Sequence, residues 1–116
     1  MKHTTNLSQG LSRIRNQFLA RLFDRRQQIL WNTLKAEKAS DPVESHKHLT
    51  AVRDILHQIV GTAATLGFAE FGFSARQIEN DIDVFLEGSE GSFASAELLQ
   101  DIVRFPETAN DIVAEG

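Results

Sequence analysis

Apolar residues recur along this chain at spacings of three and four, not two. Leu49, Val52, Leu56, Ile59, Ala63 and Leu66 form the clearest seam, the pattern of a helix that turns one face to a core. An earlier stripe begins with Leu11, Ile14, Phe18 and Leu22, and Leu19, Phe23, Ile29, Leu30 and Leu34 carry apolar surface to about Ala39. Its phase changes near residues 18–24. That predicts a short N-terminal helix running into a longer one, after a loose start over residues 1–6. Phe71, Ala75, Ile78, Ile82 and Phe85 predict a helix over about 68–86. Leu98, Ile102, Phe105, Ala109 and Ile112 predict a last one from about Phe93 or Ser95, kinked or restarted at Pro106. No alternating strand pattern occurs, so the class is all-α.

The breaks between these stripes are chemically marked. Asp41 can cap free N–H groups, Pro42 suits the first helical position, and Glu44 adds negative charge to the first turn. The seam from Pro42 to Leu66 then ends at Gly67. Gly88–Ser92 reads as a loop. Short connections between long helices give antiparallel neighbours, hence an up-down-up-down four-helix bundle, and 116 residues fit one domain spanning 1–116.

Composition narrows the function. A formal net charge of −4 argues against a nucleic-acid partner. Arg21, Arg25 and Arg26 cluster but are offset by acids elsewhere, and residues 25–28 read as a solvated face. Without cysteine there is no disulfide and no thiolate site. The polar first residues lack a signal-peptide stretch, and no apolar run approaches the roughly 20 residues of a spanning helix. The expectation is a soluble, cytoplasmic protein, monomeric and without a membrane partner.

The candidate chemistry is in His57–Gly67, HQIVGTAATLG. At about 100° per residue, His57 lies well round from the seam's centre, on a flank shared with Arg53, Gly61 and Ala64. Glycine inside a helix costs roughly 1 kcal/mol relative to alanine. Gly61 therefore either leaves room for something large to approach the imidazole or lets a neighbouring helix pack closely. His57 is ten residues before Gly67 and Glu79 twelve after it, so an antiparallel pair brings them level. A carboxylate accepting the Nδ1–H would leave Nε2 as a free lone pair, which a nucleophilic imidazole requires. A surface His/Glu pair without chemistry is the other reading. His46 and His48 point to different sides of a helix and make a poor metal site. No glycine loop for phosphates is present, so the chain has no ATP-dependent kinase activity of its own.

The stretch resembles the histidine-containing phosphotransfer (HPt) domain family, whose pattern is of the type H-x-x-K-G-(small)-x-x-x-(apolar)-G. Here the matching residues are His57, Gly61, Thr62, Leu66 and Gly67. The likeness covers about Leu49 to Leu86; the outer helices match in length and pattern only. It implies a phosphocarrier of a two-component relay. His57 would exchange a phosphoryl group with the aspartate of a response-regulator receiver domain or a hybrid histidine kinase. The receiver would bring the Mg²⁺, so this chain needs no cofactor. Glu79 matches the place where the family puts a partner for the histidine, and Gly61, Ala64 and Val60 would belong to the docking face. Val60 is a departure, because the family usually has lysine there. Arg76, one turn before Glu79, and Arg53, one turn before His57, are the candidates to contact the phosphoryl group instead. A module that docks and sequesters a receiver or kinase without transfer is the alternative that Val60 suggests.

Overall fold

The computed structural model describes the backbone of residues 2–88 and 91–115 and the side chains of 9–88 and 91–108. It contains four helices, α1 (Lys2–Lys38), α2 (Pro42–Ala63), α3 (Ala69–Gly88) and α4 (Ala96–Glu115), and no strand among the described residues. α1 packs on α2 and α4, and α3 also packs on α2 and α4. Where a loose start was expected over residues 1–6, the backbone is helical from Lys2; the side chains of Ala109 and Ile112 of the predicted α4 seam lie outside the described ones.

α1 corrects the expected short helix followed by a longer one: it is a single helix of 37 residues. Its buried positions, Phe18, Leu22, Ile29, Thr33 and Ala36, keep one helical phase throughout. The apparent phase change came from Phe23 and Leu34, both of which are exposed, as are Leu11 and Ile14 of the first stripe. At about 1.5 Å per residue this helix accounts for most of the molecule's 59 Å length.

α2 starts as its sequence dictates. Asp41 Oδ1 accepts the Glu44 N–H at 2.9 Å, with Pro42 opening the helix. Ser45 Oγ donates to the Ala36 carbonyl at 2.9 Å, tying the start of α2 to the end of α1. Leu49, Val52, Leu56, Ile59 and Ala63 are fully buried. The four larger ones are worth roughly 1.5–3 kcal/mol each, so the rotation of α2 about its axis is fixed.

Beyond Ala63 the chain turns through residues 64–67. The Phe68 N–H bonds the Ala63 carbonyl at 2.9 Å, the Gly67 N–H bonds the Ala64 carbonyl at 3.2 Å, and Gly67 has φ of 91°. This is the Schellman arrangement, which needs a residue free to adopt left-handed φ. Phe68 then stacks on Phe18 of α1, centroids 5.7 Å apart. Gly72 lets α3 approach the end of α2: a Cβ there would lie 3.3 Å from Ala63 Cβ. α4 begins with Ser95 Oγ accepting the Leu98 N–H at 3.1 Å. Ile102 and Phe105 are buried, and Phe105 stacks on Phe71 at 4.7 Å. The helix passes Pro106 without restarting, although proline has no N–H to give the carbonyl four residues back.

Candidate functional site

His57 follows the buried Leu56, so its Cβ leaves the core on the α3 side of α2. Its side chain is 73% exposed. Glu79 follows the half-buried Ile78 on α3 and is only 13% exposed. The two meet with His57 Nδ1 2.7 Å from Glu79 Oε2. Arg53 and Asp83 meet one turn further from Gly67, Nη1 to Oδ1 at 3.2 Å. Both pairs sum to the same residue number, as an antiparallel α2/α3 hairpin requires.

In the neutral imidazole, Nδ1–H donates to the carboxylate and Nε2 carries the lone pair. Glu79 is shielded enough that water competes weakly for its oxygen, so the ring is held in one orientation. No hydrogen bond to Nε2 occurs among the described residues. The combination is an exposed Nε2, a fixed ring, and a largely shielded carboxylate behind it.

Gly61 lies one turn beyond His57, exposed, and a Cβ added there would meet nothing within 4 Å. Close packing against the described residues is therefore not its role; Gly72 is the glycine that serves that purpose. Ala64 is also exposed, whereas Val60 is half-buried against the core. Thr62 Oγ1 donates back to the Gln58 carbonyl at 3.3 Å.

The two candidate arginines differ. Arg53 is held by Asp54 at 3.2 Å as well as by Asp83. Its pKa is raised, first by the hydrogen bond to Asp54 and also by that to Asp83. Arg76 is exposed and makes no ion pair or side-chain hydrogen bond among the described residues. Asp83 was legible in advance: Arg53 is fourteen residues before Gly67 and Asp83 sixteen after, the same offset as His57 and Glu79.

Comparison with protein-family models, with curated proteins and with solved structures gives no match. What the chain does must come from the site itself. The remaining described histidines are tied into the scaffold. His46 Nε2 lies 2.7 Å from the Ser92 carbonyl with its ring edge-on to Phe85. His48 lies between Asn32 Oδ1 at 3.0 Å and Glu44 Oε1 at 3.2 Å. No group of three metal-ligating side chains occurs among the described residues, and no helix there is long and apolar enough to cross a membrane. His57 alone among the described histidines combines an oriented ring with open space beside it.

Proposed function

We propose that the chain is a histidine phosphotransfer protein of the HPt type, an up-down-up-down bundle that carries a phosphoryl group on Nε2 of His57. The observation that carries this reading is the 2.7 Å contact between His57 Nδ1 and the shielded Glu79, set beside the open surface at Gly61. A receiver-domain phospho-aspartate is the donor. The Nε2 lone pair attacks phosphorus, the N–P bond forms, and the P–O bond to the aspartyl carboxylate breaks with its electron pair leaving on oxygen. The Nδ1 proton stays in place, and Glu79 offsets the positive charge that develops on the ring. Reversal returns the group. The receiver supplies Mg²⁺ and most of the charge stabilisation that phosphoryl transfer needs. This chain supplies the positioned nucleophile and a docking ridge. Arg76 stands one turn from Glu79 on α3, free of any ion pair among the described residues, and is the cation assigned to the phosphoryl oxygens.

The test is transfer of labelled phosphoryl groups from each phosphorylated receiver of the same organism. The expected label is acid-labile and base-stable, resides on His57, and disappears in His57→Gln. That variant keeps its fold, because an exposed side chain away from the core changes stability little. Label persisting in His57→Gln overturns the assignment.

The alternative is a module that docks a receiver or kinase and sequesters it. Two observations favour it: Val60 is half-buried where a cation is expected, and Arg53 is already neutralised by two carboxylates. Receiver binding without any labelling of His57 selects this reading.

A further inference from the structure

The other flank of the His57 ridge is built by α1 and carries the opposite charge. Arg25 reaches across to α2, where its Nη2 donates to Gln58 Oε1 at 3.4 Å; Gln58 directly follows His57. Arg21, one turn earlier on α1, joins Arg25, Gln17 and Thr62 around a notch of about 110 Å³. Neither arginine has a carboxylate within ion-pair distance among the described residues. Burial, and then the charge of Arg21, lower the pKa of the Arg25 guanidinium. An anion placed against the pair would relieve the crowding of like charges. On the α3 side of the ridge stand Glu79, Asp83 and Asp54, with Arg53 held by the two aspartates and Arg76 one turn from Glu79.

The α1 flank thus carries two arginines without a carboxylate partner among the described residues and the α3 flank three carboxylates against two arginines, with Gly61 open between them. We propose that Arg21 and Arg25 form a docking element for carboxylates on the receiver-type partner, and so fix the direction in which that partner lies across His57. The inference rests on the phosphotransfer reading. A partner with an acidic edge seats that edge on α1, where guanidinium forks pair with carboxylates. The reversed orientation sets the edge against Glu79 and forfeits the arginines of α1. Complementarity of this kind governs encounter rate and register more than the chemical step. The phosphoryl group itself belongs to the other flank, where the His57 ring and Glu79 lie.

The experiment compares wild type, Arg21→Glu/Arg25→Glu and the neutral Arg21→Gln/Arg25→Gln, with Arg104→Glu on α4, which changes net charge by as much as the neutral double variant, as a control. Phosphoramidate, a small donor that needs no docking, is used to label His57. The receiver domain that labels wild type is then used as donor at low and high salt. Phosphoramidate labelling should be equal in all four proteins. With the receiver, the charge-reversed variant should raise KM about tenfold or more with kcat nearly unchanged. The neutral variant should fall between, and Arg104→Glu should match wild type. Salt should raise the wild-type KM and leave that of the reversed variant flat or lower. An unchanged KM in the reversed variant, or an equal loss in Arg104→Glu, overturns the proposal while leaving phosphotransfer standing. Labelling by phosphoramidate but by no receiver also overturns it. Failure of phosphoramidate to label wild type removes the phosphotransfer reading, and this inference with it.

Discussion

Substitution at Gly61 separates what this residue costs the fold from what it gives the site. Gly61 lies inside α2 with helical backbone, is exposed, and would present an added Cβ to open space. Gly61→Ala therefore gains the full difference in helix propensity, about 0.5–1 kcal/mol, with no packing penalty. For a domain of this size that corresponds to a rise in melting temperature of roughly 2–8 °C. Gly72→Ala is the control at the buried contact between α3 and the end of α2. Its Cβ would meet Ala63 Cβ at 3.3 Å and the Ala64 backbone nitrogen at 3.6 Å, and neither atom can swing aside as the end of a flexible side chain would. Crowding of that kind typically costs about 1–3 kcal/mol, so the propensity gain is cancelled or reversed. Thermal unfolding followed by circular dichroism should show Gly61→Ala above wild type and Gly72→Ala at or below it. Gly61→Gln should fold as wild type does and accept phosphoryl groups from phosphoramidate, yet fail with a phosphorylated receiver. A loss of stability in Gly61→Ala would mean that the glycine serves the fold after all. Undiminished receiver transfer to Gly61→Gln would place the docking ridge elsewhere.

Glu79→Ala should leave the fold intact but mix the two imidazole tautomers of His57, visible in long-range ¹H–¹⁵N spectra, and slow phosphorylation while receiver affinity is kept; a single retained tautomer would show that the carboxylate does not orient the ring. Arg76→Ala should shorten the lifetime of phosphorylated His57 without altering unphosphorylated stability, as followed by loss of label over time. Arg53→Ala should do the reverse: its partly exposed pair with Asp83 is worth no more than about 1 kcal/mol, and removing it should lower the melting temperature slightly while leaving the label's lifetime alone. Gly67→Ala forces a Cβ into the left-handed region at φ 91° and should destabilise the hairpin by roughly 1–2 kcal/mol, measured by urea unfolding.

The site was more legible than the fold around it. His57 and Glu79 could be paired by counting from Gly67, because both helices rise equally per residue and one turn sets their register. Asp41 and Pro42 marked the start of α2 through chemistry that acts within four residues. α1 was harder. Leu11, Ile14, Phe23 and Leu34 have the hydrophobicity of core residues and lie in solvent; periodicity records a helical face, not whether another helix covers it. Gly72 gave no signal, because a glycine inside a helix does not announce which neighbour approaches it. The Arg25–Gln58 contact was hidden for a related reason: it joins α1 to α2 through two long side chains, and their meeting depends on rotamers and on how far α1 slides along the bundle.

The turn at Gly67 makes part of the chain a measured length. Adding one residue anywhere between His57 and Gly67, or between Gly67 and Glu79, rotates one partner by about 100° and advances it by about 1.5 Å, which carries the carboxylate away from the ring. Added residues in the stretch joining α3 to α4 change no distance in the hairpin. Insertions and deletions should therefore be tolerated at one end of α3 and forbidden at the other, and the segment from His57 to Glu79 is the piece that must be moved whole if the site is to be grafted onto another pair of helices.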